Sequence, residues 1–282
     1  MTKILSWNIQ AAKGVDGIVS VDRIAKDIKN LCDADVLCLQ EVLITAENNQ
    51  ARQLAEHFPA HTAVFGAAID RLDGNGRLQF GNLVLSRLPL LQSVQHKLPQ
   101  PAEPAAKPMP RQAVEVIIEQ DNAPLRIVTT HLEFFASGQR RAQVDYLATH
   151  HAECLQRHKQ PSPTGGEGQF ASLPETDRSI YCGDFNLTTD SDDYQTMTGG
   201  ASEQDGSQLG DAALIDCWPL LHAGKPHAPT CGIFDREQWQ EGPHCRDYFF
   251  VSAELAGKIN AIEVDVDTAA SDHQPLYITL GD

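Results

Sequence analysis

The sequence predicts an α/β fold built on mixed sheets, and three observations predict it. Eight short runs read as strands, several of them too continuously apolar for a sheet with one face in water. Between some of them lie helical patterns with an apolar stripe at 3.6-residue spacing. Other strands follow one another with no helix between, which requires hairpins and mixed sheets, so the fold is not the all-parallel, doubly wound kind.

Taken in order, the first run is 3–8 (KILSWN), followed by a helix that begins after Ser20 and sets Ile24, Ile28 and Leu31 at i, i+4 and i+7. The second strand is 35–40 (DVLCLQ). The runs 78–86 (LQFGNLVLS), 112–118 (QAVEVII) and 125–132 (LRIVTTHL) form the strand-rich middle. A long helix from about Gln139 to Arg157 then carries Val144, Leu147, His151 and Leu155 on one stripe, with Arg140 and Arg141 in its first turn. The Pro/Gly-rich segment 159–177 reads as a flexible surface loop, and 198–211 (TGGASEQDGSQLGD) as weakly structured. The remaining strands are 178–183 (RSIYCG), 246–252 (RDYFFVS) and 275–280 (PLYITL). Polar strand ends suited to one site lie on both sides of the loop, so residues 1–282 are read as a single domain. No internal repeat recurs at a fixed period.

Composition narrows the classes. The chain has 282 residues, 41% of them hydrophobic, enough for a substantial core. Its 22 basic and 38 acidic residues give a formal charge of −16, which argues against gripping nucleic acid or anionic membrane by overall electrostatics. A local basic groove stays compatible with that balance, and so does an acidic site neutralised by bound metal. The seven cysteines include no C-x-x-C pair, which points to a reducing compartment rather than a disulfide framework or zinc knuckle. The opening MTKILSWNIQ moves straight into a strand with no hydrophobic signal core, and no run of about 18 apolar residues occurs. A cytoplasmic protein without stable membrane insertion is expected; oligomeric state is left open.

The strand ends carry an unusual set of polar groups. Asn8 ends the first run, Glu41 follows the second, His131 lies at the end of 125–132, and Asp184 and Asn186 follow the SIYCG run two positions apart. Asp247 opens the run at 246–252, and Asp272 and His273 precede the last. Each alone also reads as ordinary structure: a turn cap, a first exposed residue, a satisfied core histidine. Together they are chemically coherent. Glu41 and Asp272 supply hard carboxylate oxygens and Asn8 and Asn186 neutral amides, which suits Mg²⁺ or Mn²⁺ better than zinc. Histidines and further aspartates remain for proton transfer and for stabilising a negatively charged transition state, the parts needed for metal-assisted hydrolysis of a phosphate ester.

In this order SWNIQ, LCLQEV, FGNLVLSRLPL, TTHLE, YCGDFN, RDYFFVS and SDHQPL resemble the motif series of the endonuclease/exonuclease/phosphatase superfamily, the deoxyribonuclease I-like group, across residues 4–280. The resemblance implies a four-layer α/β sandwich, with two mixed sheets packed face to face, helices outside, and a cleft where strand ends of both sheets meet. It further implies that Glu41 is the principal metal carboxylate with Asn8 beside it, and that Asp272 binds a second metal or orients its neighbour. Asp184 would orient or deprotonate the attacking water, and Asn186 hold the phosphate or that nucleophile. His273 would hydrogen-bond a phosphate oxygen, and Asp247 fix a histidine of the site. His131, in TTHL, is similar to the histidine of the deoxyribonuclease, sphingomyelinase and phosphatase branches, and tilts the reading away from an abasic-site endonuclease. Arg111 resembles the arginine that contacts substrate phosphate in those branches, a job its planar donors suit. Arg140 and Gln143 read as structural.

Arg246 departs from the pattern, standing before Asp247 where relatives more often carry an apolar residue. The tryptophan signature and terminal W-C-D-R stretch of inositol phosphatases are absent. The expectation is therefore an enzyme, a Mg²⁺- or Mn²⁺-dependent hydrolase acting on a phosphodiester, nuclease-like or directed at a small molecule or lipid headgroup. Its partner would be a phosphate-ester substrate, nucleic acid among the candidates, and Lys13, Arg71, Arg77, Arg87, Lys107, Arg111, Arg140 and Arg141 are the local cations available to bind one. A phosphomonoesterase, or an inactive binding protein on the same fold, are the alternatives. The substrate, endo or exo action, and one or two metals stay open.

Overall fold

A computed structural model describes residues 1–104, 107, 109–161, 166–199 and 212–281. Part of the expected loop at 159–177, residues 162–165, and most of the stretch 198–211, residues 200–211, lie outside the described residues. In chain order the first half comprises β1 (Thr2–Asn8), α1 (Val21–Leu31), β2 (Val36–Ile44), α2 (Gln50–His57), β3 (Thr62–Asp73), β4 (Gly76–Ser86), β5 (Leu90–Lys97), β6 (Gln112–Gln120) and β7 (Ala123–His131). Then come α3 (Ser137–Lys159), β8 (Ser179–Asp184), α4 (Asp192–Met197), β9 (Ile215–Asp216), α5 (Cys217–Leu221), β10 (Asp247–Val251), α6 (Ala253–Ala256), β11 (Ile259–Val264) and β12 (Leu276–Leu280).

The strands form two six-stranded sheets, ordered β11-β12-β1-β2-β4-β3 and β5-β6-β7-β8-β10-β9. Each has a single parallel pair among its strands: β1 with β2, and β7 with β8. A parallel pair needs a crossover, and the two long helices supply it, α1 between β1 and β2 and α3 between β7 and β8. Ser20 caps α1 by accepting the Arg23 N–H at 3.2 Å.

Strand periodicity distributes the core into three layers of contact. Between the sheets, Ile4, Val36, Cys38, Val84 and Ile278 meet Val114, Val116, Ile127, Ile180 and Phe249. The alternate residues of the first sheet, among them Leu5, Trp7, Leu37, Leu39 and Leu83, bury Ile24 and Ile28 of α1 and Leu54 of α2. Those of the second sheet, Ala113, Val128, Tyr181 and Phe250, bury Val144 and Leu147 of α3 and Met197 of α4. The result is helix, sheet, sheet, helix, the four-layer sandwich the motifs imply.

All eight expected strands form, as β1, β2, β4, β6, β7, β8, β10 and β12, and they are the eight interior strands of the two sheets. The four not expected, β3, β5, β9 and β11, are the four edges. An edge strand presents less of itself to the core, so β5 alternates half-buried and exposed side chains instead of running apolar. Both expected helices form. Leu31 and Leu155 are only partly covered, and Cys154 is the buried residue near the end of the α3 stripe.

Candidate active site

Sheet direction explains why distant residues meet. Asn8 and His131 sit at the carboxyl ends of β1 and β7, Asp184 at that of β8, and Glu41 past the middle of β2. Asp247 opens β10, which runs antiparallel to β8, so the register pairs Asp247 with Asp184, and Asp184 with His131 on its other side. Likewise β12 is antiparallel to β1, which brings the residues before it, Asp272 and His273, back to Asn8. Ser271 fixes that return by donating its hydroxyl to the Asn8 carbonyl at 2.7 Å, and the Trp7 indole N–H donates to the His273 carbonyl at 2.9 Å. Beneath this end, Gln40 of the first sheet donates to Thr129 Oγ1 of the second at 2.8 Å.

The backbone is irregular where the site is built. The ladder between β2 and β4 shifts register between Leu39 and Val42, and Glu41 in that bulge has φ +59°. Asn186 has φ +51°. Non-glycine residues in the left-handed region cost of order 1–3 kcal/mol and collect at functional sites. Gly183, at φ +130°, answers a different need: a Cβ there would collide with the Thr130 carbonyl of β7.

The side chains converge on Asp184. Its Oδ2 accepts the Asn8 Nδ2–H at 3.0 Å and lies 3.4 Å from His131 Nε2 and 3.7 Å from His273 Nε2. Its Oδ1 accepts the Asn186 backbone N–H at 3.0 Å. The Asn8 amide also donates to Glu41 Oε1 at 3.0 Å, and His131 Nδ1 stands 3.7 Å from the same oxygen. His273 Nδ1 pairs with Asp247 Oδ2 at 2.8 Å, leaving Nε2 toward Asp184. Asn186 Nδ2 donates to the Leu132 carbonyl at 2.9 Å. Asp272 Oδ2 accepts from Gln238 Nε2 at 2.9 Å. Arg111 is buried with Nε on Glu133 Oε2 at 3.2 Å, while its Nη1 and Asp247 Oδ1 are buried without a partner.

Burial dominates the electrostatics. It pushes Asp184 up to about 7, with Asp247 and Glu41 adding to the rise against the pull of His273 and Asn8. Burial opposes the charged form of His273, but the carboxylates of Asp247, Asp184 and Asp272 outweigh it and hold this imidazole well above its usual range. Near neutrality a proton therefore stays on His273 between two aspartates. His131 is driven well below its usual range by burial and then by the Arg111 and His273 charges, so it is neutral. Burial and then the Asp272 charge raise Glu41 above the usual carboxylate range. An acidic side chain raised by the charge of a second carboxylate, with amides alongside, fits a hard divalent cation such as Mg²⁺ or Mn²⁺. Asp184, Asp247 and His273 also bring donor atoms within 4.8 Å of one another.

These groups open into a cleft of about 450 Å³ whose walls include Glu41, Arg111, His131, Asp184, Asn186, Asp272 and His273. Sequence reading missed the rest of the lining: Gln10, Met109, Phe134, Phe135, Gln238 and Trp239. Phe134 makes edge contacts with both Phe135 and Trp239, at centroid distances of 4.9 and 5.6 Å. The doublet directly after TTHLE was the available signal; nothing local marked Trp239. Glu133, the Arg111 partner, is the last residue of that motif. Arg140 and Gln143 hold this loop, Arg140 donating to the Glu133 and Phe134 carbonyls and Gln143 Oε1 accepting the Glu133 N–H. Arg246 Nη1 donates to the Asn186 carbonyl at 3.3 Å, so the departure from the motif braces the site's backbone.

The profile of the Endonuclease/Exonuclease/phosphatase family matches residues 5–273. Solved structures with the same fold include an endonuclease/exonuclease/phosphatase from Beutenbergia cavernae, 23% identical, covering 99% of this chain and 72% of its own, with a TM-score of 0.68. A mannosyl-6-phosphatase from Bacteroides thetaiotaomicron is 16% identical with complete coverage of both chains and a TM-score of 0.69. A truncated TDP2 from Caenorhabditis elegans is 17% identical, covering 100% of this chain and 97% of its own, with a TM-score of 0.66. No curated protein sequence matches. Among the described residues no helix is long and apolar enough to cross a membrane.

Proposed function

Because the chain belongs to the endonuclease/exonuclease/phosphatase family, we propose that its cleft is a divalent-metal-dependent phosphoesterase acting on a small phosphodiester. The observation that carries this reading is the convergence of Asn8, Glu41, His131, Asp184, Asp247 and His273 around one cleft, with the unpartnered Arg111 Nη1 in its wall. Glu41 and Asp272, with Asn8 beside them, would hold Mg²⁺ or Mn²⁺, which when bound would supply Lewis-acid stabilisation of the phosphate charge.

The remaining work falls to side chains. Asp184 takes the proton of the attacking water, which Asn186 helps to orient. His273, kept charged and aimed by Asp247 through Nδ1, donates from Nε2 to a non-bridging phosphate oxygen. Arg111 donates Nη1 to another, and neutral His131 completes the polar wall. A small substrate fits better than duplex DNA because Arg77, Arg87, Arg140 and Arg141 are each engaged by carboxylates of this chain, and the formal charge is −16. A phosphomonoesterase is the second reading, favoured by the aromatic closure of Phe134 and Trp239 and by likeness to the mannosyl-6-phosphatase fold.

The test is a metal-supplemented screen of bis-p-nitrophenyl phosphate, p-nitrophenyl phosphate, sugar phosphates, nucleotides, phospholipids, single-stranded DNA, RNA and plasmid, with Asp184→Asn as control. Diester hydrolysis that needs Mg²⁺ or Mn²⁺ and disappears in Asp184→Asn is expected. Faster turnover of the monoester selects the second reading. Hydrolysis that survives chelation counts against both.

A further inference from the structure

Outside the cleft, a second group of histidines and a carboxylate is packed between the outer face of the second sheet and α3. Glu115 of β6 projects on the side opposite its inter-sheet neighbours Val114 and Val116. Its Oε2 lies 2.9 Å from His96 Nε2 of β5 and 3.0 Å from His150 Nε2 of α3, and the three donor atoms lie within 4.8 Å of one another. We infer that His96, Glu115 and His150 form a binding site for a borderline divalent ion of the zinc type, separate from the cleft, that ties α3 to the edge of the sheet.

Six features carry the inference. Ligand atoms about 2.0–2.1 Å from one metal, at angles between octahedral and tetrahedral, stand roughly 2.9–3.4 Å apart, the spacing of each imidazole nitrogen from Glu115 Oε2. Two imidazoles and one carboxylate suit zinc, cobalt or nickel and not magnesium. The far nitrogen of each imidazole is held by a phenol: His96 Nδ1 meets Tyr146 Oη at 2.9 Å and His150 Nδ1 meets Tyr181 Oη at 3.1 Å. A hydrogen-bond partner on the other ring nitrogen is the usual support of a metal-ligating histidine. The remaining carboxylate oxygen, Glu115 Oε1, accepts Arg126 Nε at 2.9 Å, and Arg126 is in turn covered by Glu175 at 3.1 Å. Cys154, one turn beyond His150, adds a soft donor beside the group, its Sγ 3.5 Å from His150 Nε2. Side chains of both histidines are only 11% exposed, so an ion there is largely enclosed.

The same distances are reached if each Nε2–H is donated to Oε2 with no ion, and experiment separates the two. Zn²⁺ is titrated calorimetrically into the chelator-treated full chain carrying Glu41→Gln, Asp272→Asn and His273→Ala, which weakens ion binding in the cleft and leaves it one histidine beside Asp184. One equivalent should bind, and adding His96→Gln should weaken it by ~100-fold or more. Zinc affinity indifferent to His96→Gln, or no zinc bound, overturns the site. Should His96→Gln fail to fold by circular dichroism, zinc-edge X-ray absorption on the parent variant decides: two imidazoles in the coordination shell support the site, and fewer overturn it.

Discussion

Two clusters of histidine and carboxylate, one in the cleft and one under α3, differ in what surrounds them. In the cleft they stand where strands end, on backbone held at φ +59° at Glu41 and +51° at Asn186, and with Asp247 Oδ1 and Arg111 Nη1 left unpartnered. Under α3, Glu115 stands mid-strand and His150 mid-helix with His96 near the end of β5, and both oxygens of Glu115 are taken, one by Arg126 and the other by two imidazoles. The electrostatics diverge accordingly. Burial raises Asp184 to about 7. Burial also acts to raise Glu115, but hydrogen bonds from His150 and His96 and the Arg126 charge reverse it and hold that carboxyl far below the usual range. Unsatisfied polar groups on strained backbone leave the cleft ready for substrate, whereas the saturated group under α3 ties sheet to helix, the role its proposed ion would share.

The largest effect that tests this contrast is in the cleft. Asp184→Asn and His273→Ala should each lower turnover by about 10²-fold or more while the folded protein keeps its unfolding midpoint within a few degrees, as expected for general-base and charge-stabilising groups. Glu41→Gln should shift the Mg²⁺ titration of activity to higher concentration. The opposite signature belongs under α3. Glu115→Ala leaves Arg126, 1% exposed, without its nearest carboxylate. Measured by urea denaturation in chelator, it should cost about 3–5 kcal/mol, with turnover per folded molecule little changed. A Glu115→Ala protein as inactive as Asp184→Asn, yet fully folded, would erase the distinction.

The two groups were not equally legible in the sequence, and the reason is geometric. A residue at the end of an apolar run is conspicuous in its own motif, so Asn8, Glu41, His131, Asp184, Asp247 and His273 could each be picked out locally, and their meeting follows from strand directions. Glu115 sits inside QAVEVII, where a charged residue reads as the solvent side of a strand; its outer face is covered by α3. Its partners are 19 and 35 positions away, and one of them, His96, lies on an edge strand whose half-polar alternation hid it. The same limit hid all four edge strands while every interior strand was visible. Phe134, Gln238 and Trp239 were missed because a cleft wall is made by loops, whose side chains acquire a direction only from what they pack against.

The smallest effect concerns His151, next to His150 on α3 but facing the apolar stripe. It is 1% exposed, both ring nitrogens lack partners, and its ring packs edge-on against Tyr181 at 5.5 Å. Burial, then Arg126 and His150, lower it from 6.5 to about 4. The unfolded chain takes up a proton near pH 6.5 and the folded chain only near pH 4, so this residue costs the protein nothing above pH 7 and withdraws stability as the pH falls between those values. The full difference corresponds to about 3 kcal/mol, an order-of-magnitude figure. His151→Leu keeps an apolar side chain of similar volume and cannot bind the proton. Denaturation of both proteins at pH 7.5 and pH 4.5 should therefore show the variant gaining on the parent by roughly 1–3 kcal/mol at the lower pH. An equal loss in both would place the acid sensitivity elsewhere, with Glu115, whose carboxyl is held far below its usual range, the next group to test; the raised Asp184 and Glu41 act in the opposite sense.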